Sequence, residues 1–313
     1  MSFSSDVKEE LAKQLNKSRH CQIAELAAIF AFAGKIIPDE KGVKLEITTE
    51  NVLLARKCFT LMKKAFNIST DISMHSGSGV NRIHVYTISM DREEDVRKVL
   101  QALHIMDLDG RITLQESLTD GIVVQKECCK RSFIRGAYLS AGSMSDPEKS
   151  YHFEIVCSSE PKAEQLKEMM NHFGMDAKVV LRKKYYVVYL KEGEQIVDML
   201  NIMEAYKSLM NLENVRILKE MRNSVNRQVN CETANINKTV NAAVKQLDDI
   251  KLIEEHMGLE KLPPGLKEMA EIRMEFPEAA LKELGTYFDP PIGKSGVNHR
   301  LRKLGEIADS IRK

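Results

Sequence analysis

Leu26-Ala27-Ala28-Ile29-Phe30-Ala31-Phe32-Ala33-Gly34 and Ile134-Arg135-Gly136-Ala137-Tyr138-Leu139-Ser140-Ala141-Gly142 are the two stretches on which the fold turns. Gly34 and Gly142 differ by 108 positions, and sliding the chain against itself by that amount lays Phe30 on Tyr138 and Ala33 on Ala141. The same shift carries Glu46 onto Glu154, Ile47 onto Ile155 and Met62 onto Met170. Loops of unequal length then move the register, after which Ile83-His84-Val85-Tyr86 matches Tyr185-Tyr186-Val187-Val188 and Leu100 matches Leu200. Self-similarity of this kind means one structural unit used twice, over residues 20–105 and 128–205.

Each copy reads alike. An apolar helix with small residues comes first, Ile23 to Lys35 and Phe133 to Gly142. A strand with period-2 alternation follows, around Leu45 and Ile47 and around Phe153 and Ile155. Next is an amphipathic helix, with Asn51 and Ser159 as matched N-cap candidates and Pro161 in the first turn of the second copy. Leu54, Cys58, Leu61, Met62 and Ala65 keep helical spacing, as do Leu166, Met169, Met170 and Phe173. A hairpin at about 69–90 or 177–190 and a closing helix at about 93–105 or 194–204 complete the unit, giving αβαββα twice. Two such units pack about a pseudo-twofold axis, where small side chains let backbones come close. Ala24, Ala27, Ala28 and Ala31, and Gly136, Ala137, Ser140 and Ala141, meet that need.

The two nine-residue stretches resemble the LAGLIDADG motif of homing endonucleases. In active members of that family the last acidic residue of each motif holds a divalent metal. The matching positions here are Ala33 and Ala141, and the other acidic position holds Ala31 and Leu139. Two-metal cleavage needs carboxylates where the helices meet, so the resemblance implies the endonuclease fold with its chemistry removed. No catalytic residue, metal or cofactor is expected.

Composition narrows the function. Of 313 residues, 43% are apolar and 29% charged, which fits a folded domain rather than a disordered chain. Lys and Arg number 46 against 45 Asp and Glu, so any nucleic-acid site has to be a local patch. The longest apolar run, Leu26 to Gly34, is far short of the roughly 20 residues that a membrane span needs. The polar start, with Asp6, Glu9 and Glu10, does not read as a secretion signal, and the expected location is cytoplasmic, at the nucleoid. Six cysteines stand at 21, 58, 128, 129, 157 and 231. None has C-x-x-C spacing, which argues against a zinc or thioredoxin-type site and for reduced, buried thiols.

The last third changes character. Residues 206–231, with Arg216, Lys219, Arg222 and Arg227 and an Asn-rich run, read as a basic joining segment. A long helix at about 232–256 carries a stripe of Ile236, Val240, Ala243, Val244, Leu247 and Ile250. Gly258 ends it and Pro263-Pro264-Gly265 turns the chain. Three shorter helices follow at about 265–275, 277–286 and 295–311, fitting a helix-turn-helix domain over 232–313. On the last helix Val297, Leu301 and Leu304 form an inner face. Between Asp289 and Glu306 there is no acid, while Lys294, Ser295, Asn298, His299, Arg300, Arg302 and Lys303 are all present. Ser295 is the expected cap. Asn298 can pair with adenine and Arg with guanine, and the other cations suit phosphates.

Together the halves resemble the WhiA family of bacterial regulators, a degenerate LAGLIDADG domain joined to a C-terminal helix-turn-helix. The most specific strings are Met1-Ser2-Phe3-Ser4-Ser5 with Lys8-Glu9-Glu10-Leu11, Arg135-Gly136-Ala137-Tyr138-Leu139, Asn226-Arg227 with Asn230-Cys231-Glu232, and Leu281-Lys282-Glu283-Leu284-Gly285 through Lys294-Ser295-Gly296-Val297-Asn298-His299-Arg300. The resemblance implies an α+β fold of two LAGLIDADG-like repeats (residues 20–205), preceded by an N-terminal helix (1–19) and followed by an all-α DNA-binding domain. It also implies a sequence-specific transcription regulator of Gram-positive bacteria, tied to cell division, chromosome segregation and, in sporulating relatives, sporulation. Double-stranded DNA is then the main partner, with other transcription factors or RNA polymerase as protein partners and no membrane.

Arg222, Arg227, Arg182, Lys183 and Lys184 are candidates for secondary DNA contact, though a hairpin run such as Arg182-Lys183-Lys184 is often merely solvated. Two other readings remain open: a metal-dependent nuclease using the matched strand acids Glu46 and Glu154, and a regulator sensing a small effector in the former endonuclease groove. Ser76-Gly77-Ser78-Gly79 lacks the Gly-Lys-Ser/Thr of a phosphate cradle and reads as a hairpin loop. His152 and His172 near Cys157 match no metal spacing.

Overall fold

The computed structural model describes residues 2–39, 42–76, 84–113 and 116–312. Gly77 to Gly79 of the expected hairpin loop lie outside them. The chain divides into two compact units, Met1–Lys219 and Glu220–Lys313.

The first unit opens with α1 (Phe3–Lys13), capped by the Ser2 hydroxyl, which accepts from the Ser5 N–H. Its Val7 and Leu11 enter the core. Repeat one is α2 (Arg19–Ala33), β1 (Gly34–Asp39), β2 (Gly42–Thr49), α3 (Val52–Phe66), β3 (Asp71–Ser76), β4 (His84–Met90) and α4 (Glu93–Ala102). Repeat two is α5 (Glu127–Ala141), β5 (Gly142–Met144), β6 (Phe153–Cys157), α6 (Glu160–Asn171), β7 (Lys178–Arg182), β8 (Tyr185–Leu190) and α7 (Gly193–Ile202). Each forms an antiparallel sheet of the same order, β1-β2-β4-β3 and β5-β6-β8-β7. Register repeats as well: Gly34 pairs with Ile47, and Gly142 with Ile155.

Each repeat thus carries one strand more than the αβαββα order expected from sequence. The first helix stops at Ala33 or Ala141 and passes into β1 or β5 without a loop. Period-2 alternation does not mark these strands: β1 contains Pro38 and β5 has three residues, so the apolar helical pattern hides the boundary. Asn51 caps α3 through its side chain, while Ser159 occupies the N-cap position of α6 without a side-chain bond.

The core lies between helices and the inner sheet faces, through Leu45, Ile47, Phe153, Ile155 and Cys157. α2 and α5 pack side by side. A Cβ placed on Gly136 would stand 2.9 Å from the Ala28 Cβ, so the small residues serve the close approach expected of them. A buried charge network runs through this core. Glu25 holds Lys57 at 2.5 Å and Arg135 at 3.0 Å, and Arg135 reaches on to Glu204 at 2.7 Å. The Lys57 ammonium also donates to the Leu11 carbonyl at 2.6 Å. Burial pushes Lys57 below the ordinary lysine range, with Glu25 only partly offsetting it. At Arg135 burial acts the same way, but the Glu25 and Glu204 carboxylates outweigh it and raise the guanidinium above its usual value.

α8 runs unbroken from Tyr206 to Met257. The basic stretch 206–231, expected as a separate joining segment, is therefore the first half of this helix. It contains no Gly or Pro, and each Asn costs only a fraction of a kcal/mol (about 0.7 at most) in a helix. Residues 220–242 are exposed throughout. Of the expected stripe, Ile236, Val240 and Val244 are open to solvent, and only Ile250 is fully buried.

In the second unit the end of α8 packs with α9 (Pro264–Glu275), α10 (Leu281–Leu284) and α11 (Lys294–Ile311) around Ile253, Met269, Leu284, Phe288, Val297, Leu301 and Leu304. The middle helix, expected over 277–286, is one α turn continued by a 3-10 turn at Gly285–Tyr287, since Pro277 starts a turn rather than a helix. Gly285 permits the bend before α11: its carbonyl accepts from the Ile292 N–H at 2.9 Å, and a Cβ on it would meet the Ile292 oxygen at 2.2 Å.

Candidate nucleic-acid interface

α11 is two-faced. Val297, Leu301, Leu304 and Ala308 are buried, while Ser295, Asn298, His299, Arg302, Lys303 and Glu306 are exposed. The exposed set follows i, i+3, i+4, i+7 spacing, so the side chains share one side of the helix. Among the described residues, Lys294, Ser295, Asn298, His299 and Lys303 make no side-chain hydrogen bond or ion pair; Arg302 pairs with Glu306 at 3.3 Å in solvent.

Two expectations change. Ser295 does not cap the helix. The N-cap is Gly293, and Ser295 lies inside the first turn. Arg300 turns off the exposed side, with its guanidinium carbon 4.7 Å over the Phe288 ring and Nη1 3.8 Å from the Glu268 carboxylate. That Nη1 is buried and without a hydrogen bond, and the side chain lies against Gly265 of α9. Arg300 therefore ties α11 to α9 and is poorly placed to read a base.

The sequence reading missed a cationic cavity of about 410 Å³ beside this helix, lined by Lys238, Arg273, Lys282 and Lys294 and by no acid. Arg273 is 2% exposed; it donates from Nη1 to the Ala279 carbonyl at 2.7 Å, while its Nε has no partner. Burial lowers its affinity for a proton. Of the four cations the sequence points only to Lys294, because the other three lie on separate helices and converge through folding.

The secondary candidates are exposed but differently engaged. Arg182 donates to Glu154 at 3.3 Å. Lys183 takes a left-handed turn conformation at φ 57° between β7 and β8, and Lys184 lies 5.4 Å over the Tyr185 ring. Arg222 and Arg227 stand on the solvated part of α8, where Arg227 donates to the Asn223 carbonyl of its own helix at 3.4 Å.

At the opposite chemistry, Ala33 and Ala141 end α2 and α5. The adjoining cleft, about 850 Å³, is lined by Ser5, Lys8, Ala33, Glu50, Asn51 and Ser140 among others, with Glu50 its one carboxylate among the described residues. Glu46 is held by Lys44 at 2.8 Å. Glu154 accepts from Ser143 at 2.9 Å, lies 3.1 Å from His152 Nε2 and takes Arg182. Burial works against the Glu154 charge, but these partners prevail and hold the carboxyl below its ordinary range. Neither acid belongs to a candidate metal cluster among the described residues.

Among the described residues no helix is long and apolar enough to cross a membrane. Three family models cover the chain: the WhiA N-terminal LAGLIDADG-like domain over residues 19–106, the WhiA LAGLIDADG-like domain over 130–222 and the WhiA C-terminal HTH domain over 225–308. A probable cell division protein WhiA of Lachnoclostridium phytofermentans is 55% identical over 313 residues, covering all of both chains. One of Clostridium novyi is 48% identical, covering all of this chain and 99% of its own. A crystal structure of full-length DUF199/WhiA from Thermatoga maritima matches with a TM-score of 0.60 at 25% identity, covering 99% of each chain. Duplicated motif helices that end in alanine, a basic exposed helix after a tight turn, and these full-length matches agree: the chain belongs to the WhiA family.

Proposed function

We propose that this chain is a sequence-specific DNA-binding transcription regulator without nuclease activity, acting in cell division as the names of its relatives indicate for them. The reading extends to chromosome segregation and, in a sporulating host, to sporulation genes, with the protein held at the nucleoid. The observation that carries it is the exposed side of α11, where Ser295, Asn298, His299, Arg302 and Lys303 project from a helix whose other side is fixed in a core. Ser295, Asn298, His299 and Lys303 have no side-chain bond to lose among the described residues, and Arg302 has only its solvated pair with Glu306, so these side chains are available to base edges and phosphates. The first N–H groups of α11, with Lys294, Lys282 and the Arg273 cavity beside them, offer further donors for phosphate. Arg222, Arg227, Lys183 and Lys184, all exposed, would add sequence-independent contacts to phosphate. Loss of acids at Ala33 and Ala141, with one carboxylate in the adjoining cleft, supports the non-enzymatic reading.

The test is genome-wide mapping of bound DNA, followed by titration of an enriched duplex. Arg302→Ala with Lys303→Ala is expected to weaken binding at least about tenfold and to lower the salt slope by roughly one for each phosphate left without its cation. Unchanged affinity and slope in a folded variant would remove the assignment of α11.

A further inference from the structure

His20 and Cys21 are the second and third residues of α2, and Cys128 and Cys129 are the second and third residues of α5. The shift of 108 that relates the repeats lays one pair on the other. Their ligand atoms all fall within 4.8 Å of one another. His20 Nδ1 is 3.2 Å from Cys129 Sγ, 3.3 Å from Cys21 Sγ and 4.0 Å from Cys128 Sγ. All the cysteines are free thiols.

From this geometry we propose that His20, Cys21, Cys128 and Cys129 form a tetrahedral structural site for a thiophilic divalent cation, zinc, which clips the two repeats together. Ligands at about 2.3 Å for sulfur and 2.0–2.1 Å for nitrogen put tetrahedral edges at about 3.5–3.8 Å, within the range of separations found. Three thiols and an imidazole match zinc's preference for sulfur and nitrogen and leave no position for water, which makes the site structural. Binding Zn²⁺ releases a proton from each of three thiols and leaves a complex of net charge −1. Both ligand pairs lie in helix first turns, where the positive ends of the helices favour thiolate.

One feature favours a metal over a redox pair. The imidazole Nδ1 lies within 4.0 Å of all three sulfurs, an arrangement that a disulfide does not require. The ligands lie at the start of α2 and α5, some 20 Å of helix from Ala33 and Ala141. The clip would thus hold one end of a helix pair whose other end carries Ala33 and Ala141. C-x-x-C spacing is absent because each repeat supplies half of the ligands.

The experiment uses the full chain, purified without a polyhistidine tag, and elemental analysis. About one zinc per chain is expected. Cys128→Ser, at an exposed position, should fold as judged by circular dichroism yet hold less than about one tenth of that amount. Cys231→Ser, on α8, should keep all of it. Cobalt added to stripped protein should give thiolate charge-transfer and tetrahedral d–d bands in the wild type and in Cys231→Ser but not in Cys128→Ser. Zinc content unchanged by Cys128→Ser, stoichiometric iron, or metal-free protein joined by a Cys21–Cys128 or Cys21–Cys129 disulfide would each overturn the proposal. DNA titration reads α11 separately, so either result stands alone.

Discussion

The Cα of Gly136 on α5 approaches α2 so closely that a Cβ built on it would stand 2.5 Å from the Glu25 carbonyl oxygen. The obstructing atom is backbone, so the helix pair itself would have to part. Gly136→Ala is expected to destabilise the first unit by about 1–3 kcal/mol, overriding the roughly 1 kcal/mol that alanine gains over glycine inside a helix. Urea unfolding followed by circular dichroism would check it; a stabilised variant would show that the helices are not locked together here.

Glu25 itself balances two buried cations, Lys57 and Arg135, both nearly inaccessible. Glu25→Gln leaves a positive charge in the core without its counterion and should cost about 3–5 kcal/mol. Combining it with Lys57→Met should recover part of that loss, because the stranded ammonium is then gone. A double-mutant cycle in urea reads the coupling directly.

Arg300 and Lys303 should separate in their effects. Arg300→Ala removes the stacking on Phe288 and is expected to lower stability by about 0.5–2 kcal/mol. Lys303→Ala should leave the melting temperature alone and weaken DNA binding. Melting curves beside anisotropy titrations would settle this. An Arg300→Ala protein of unchanged stability with lost base preference would return Arg300 to the reading surface.

Glu154 supplies a pH dependence. Its folded carboxyl titrates below its ordinary value, so its contribution to stability is present above about pH 4.5 and is lost as pH falls through the lowered folded value. Glu154→Gln should therefore cost stability at about pH 6, and progressively less as pH falls through the lowered folded value. The same change frees Arg182, so any DNA contact by the β7–β8 hairpin should strengthen. A plasmid-nicking assay with Mg²⁺ or Mn²⁺ is expected to show no cleavage; turnover abolished by Glu46→Gln would reinstate the nuclease reading.

Sequence reading located both repeats, their helices and hairpins and the basic helix α11, because small-residue spacing, alternation and local charge are properties of neighbours along the chain. It missed β1 and β5, where a helix runs straight into a strand with no break in its apolar pattern. It also divided α8, because an Asn-rich, basic run looks like a linker although nothing in it stops a helix. α11 was legible as a surface, but not the inward turn of Arg300, which depends on Phe288 and Glu268 arriving from outside the helix.

What the residues alone determined is the duplication, alanine rather than an acid at positions 33 and 141, and a cationic helix over the last residues. All of these follow from order and periodicity. Tertiary structure decided which groups meet: Glu25 with Lys57 and Arg135, Arg273 with three lysines, and His20 and Cys21 with Cys128 and Cys129. Those meetings join positions far apart in the chain, and only the packing of α2 against α5, or of α8, α9, α10 and α11 on one another, brings them to one place.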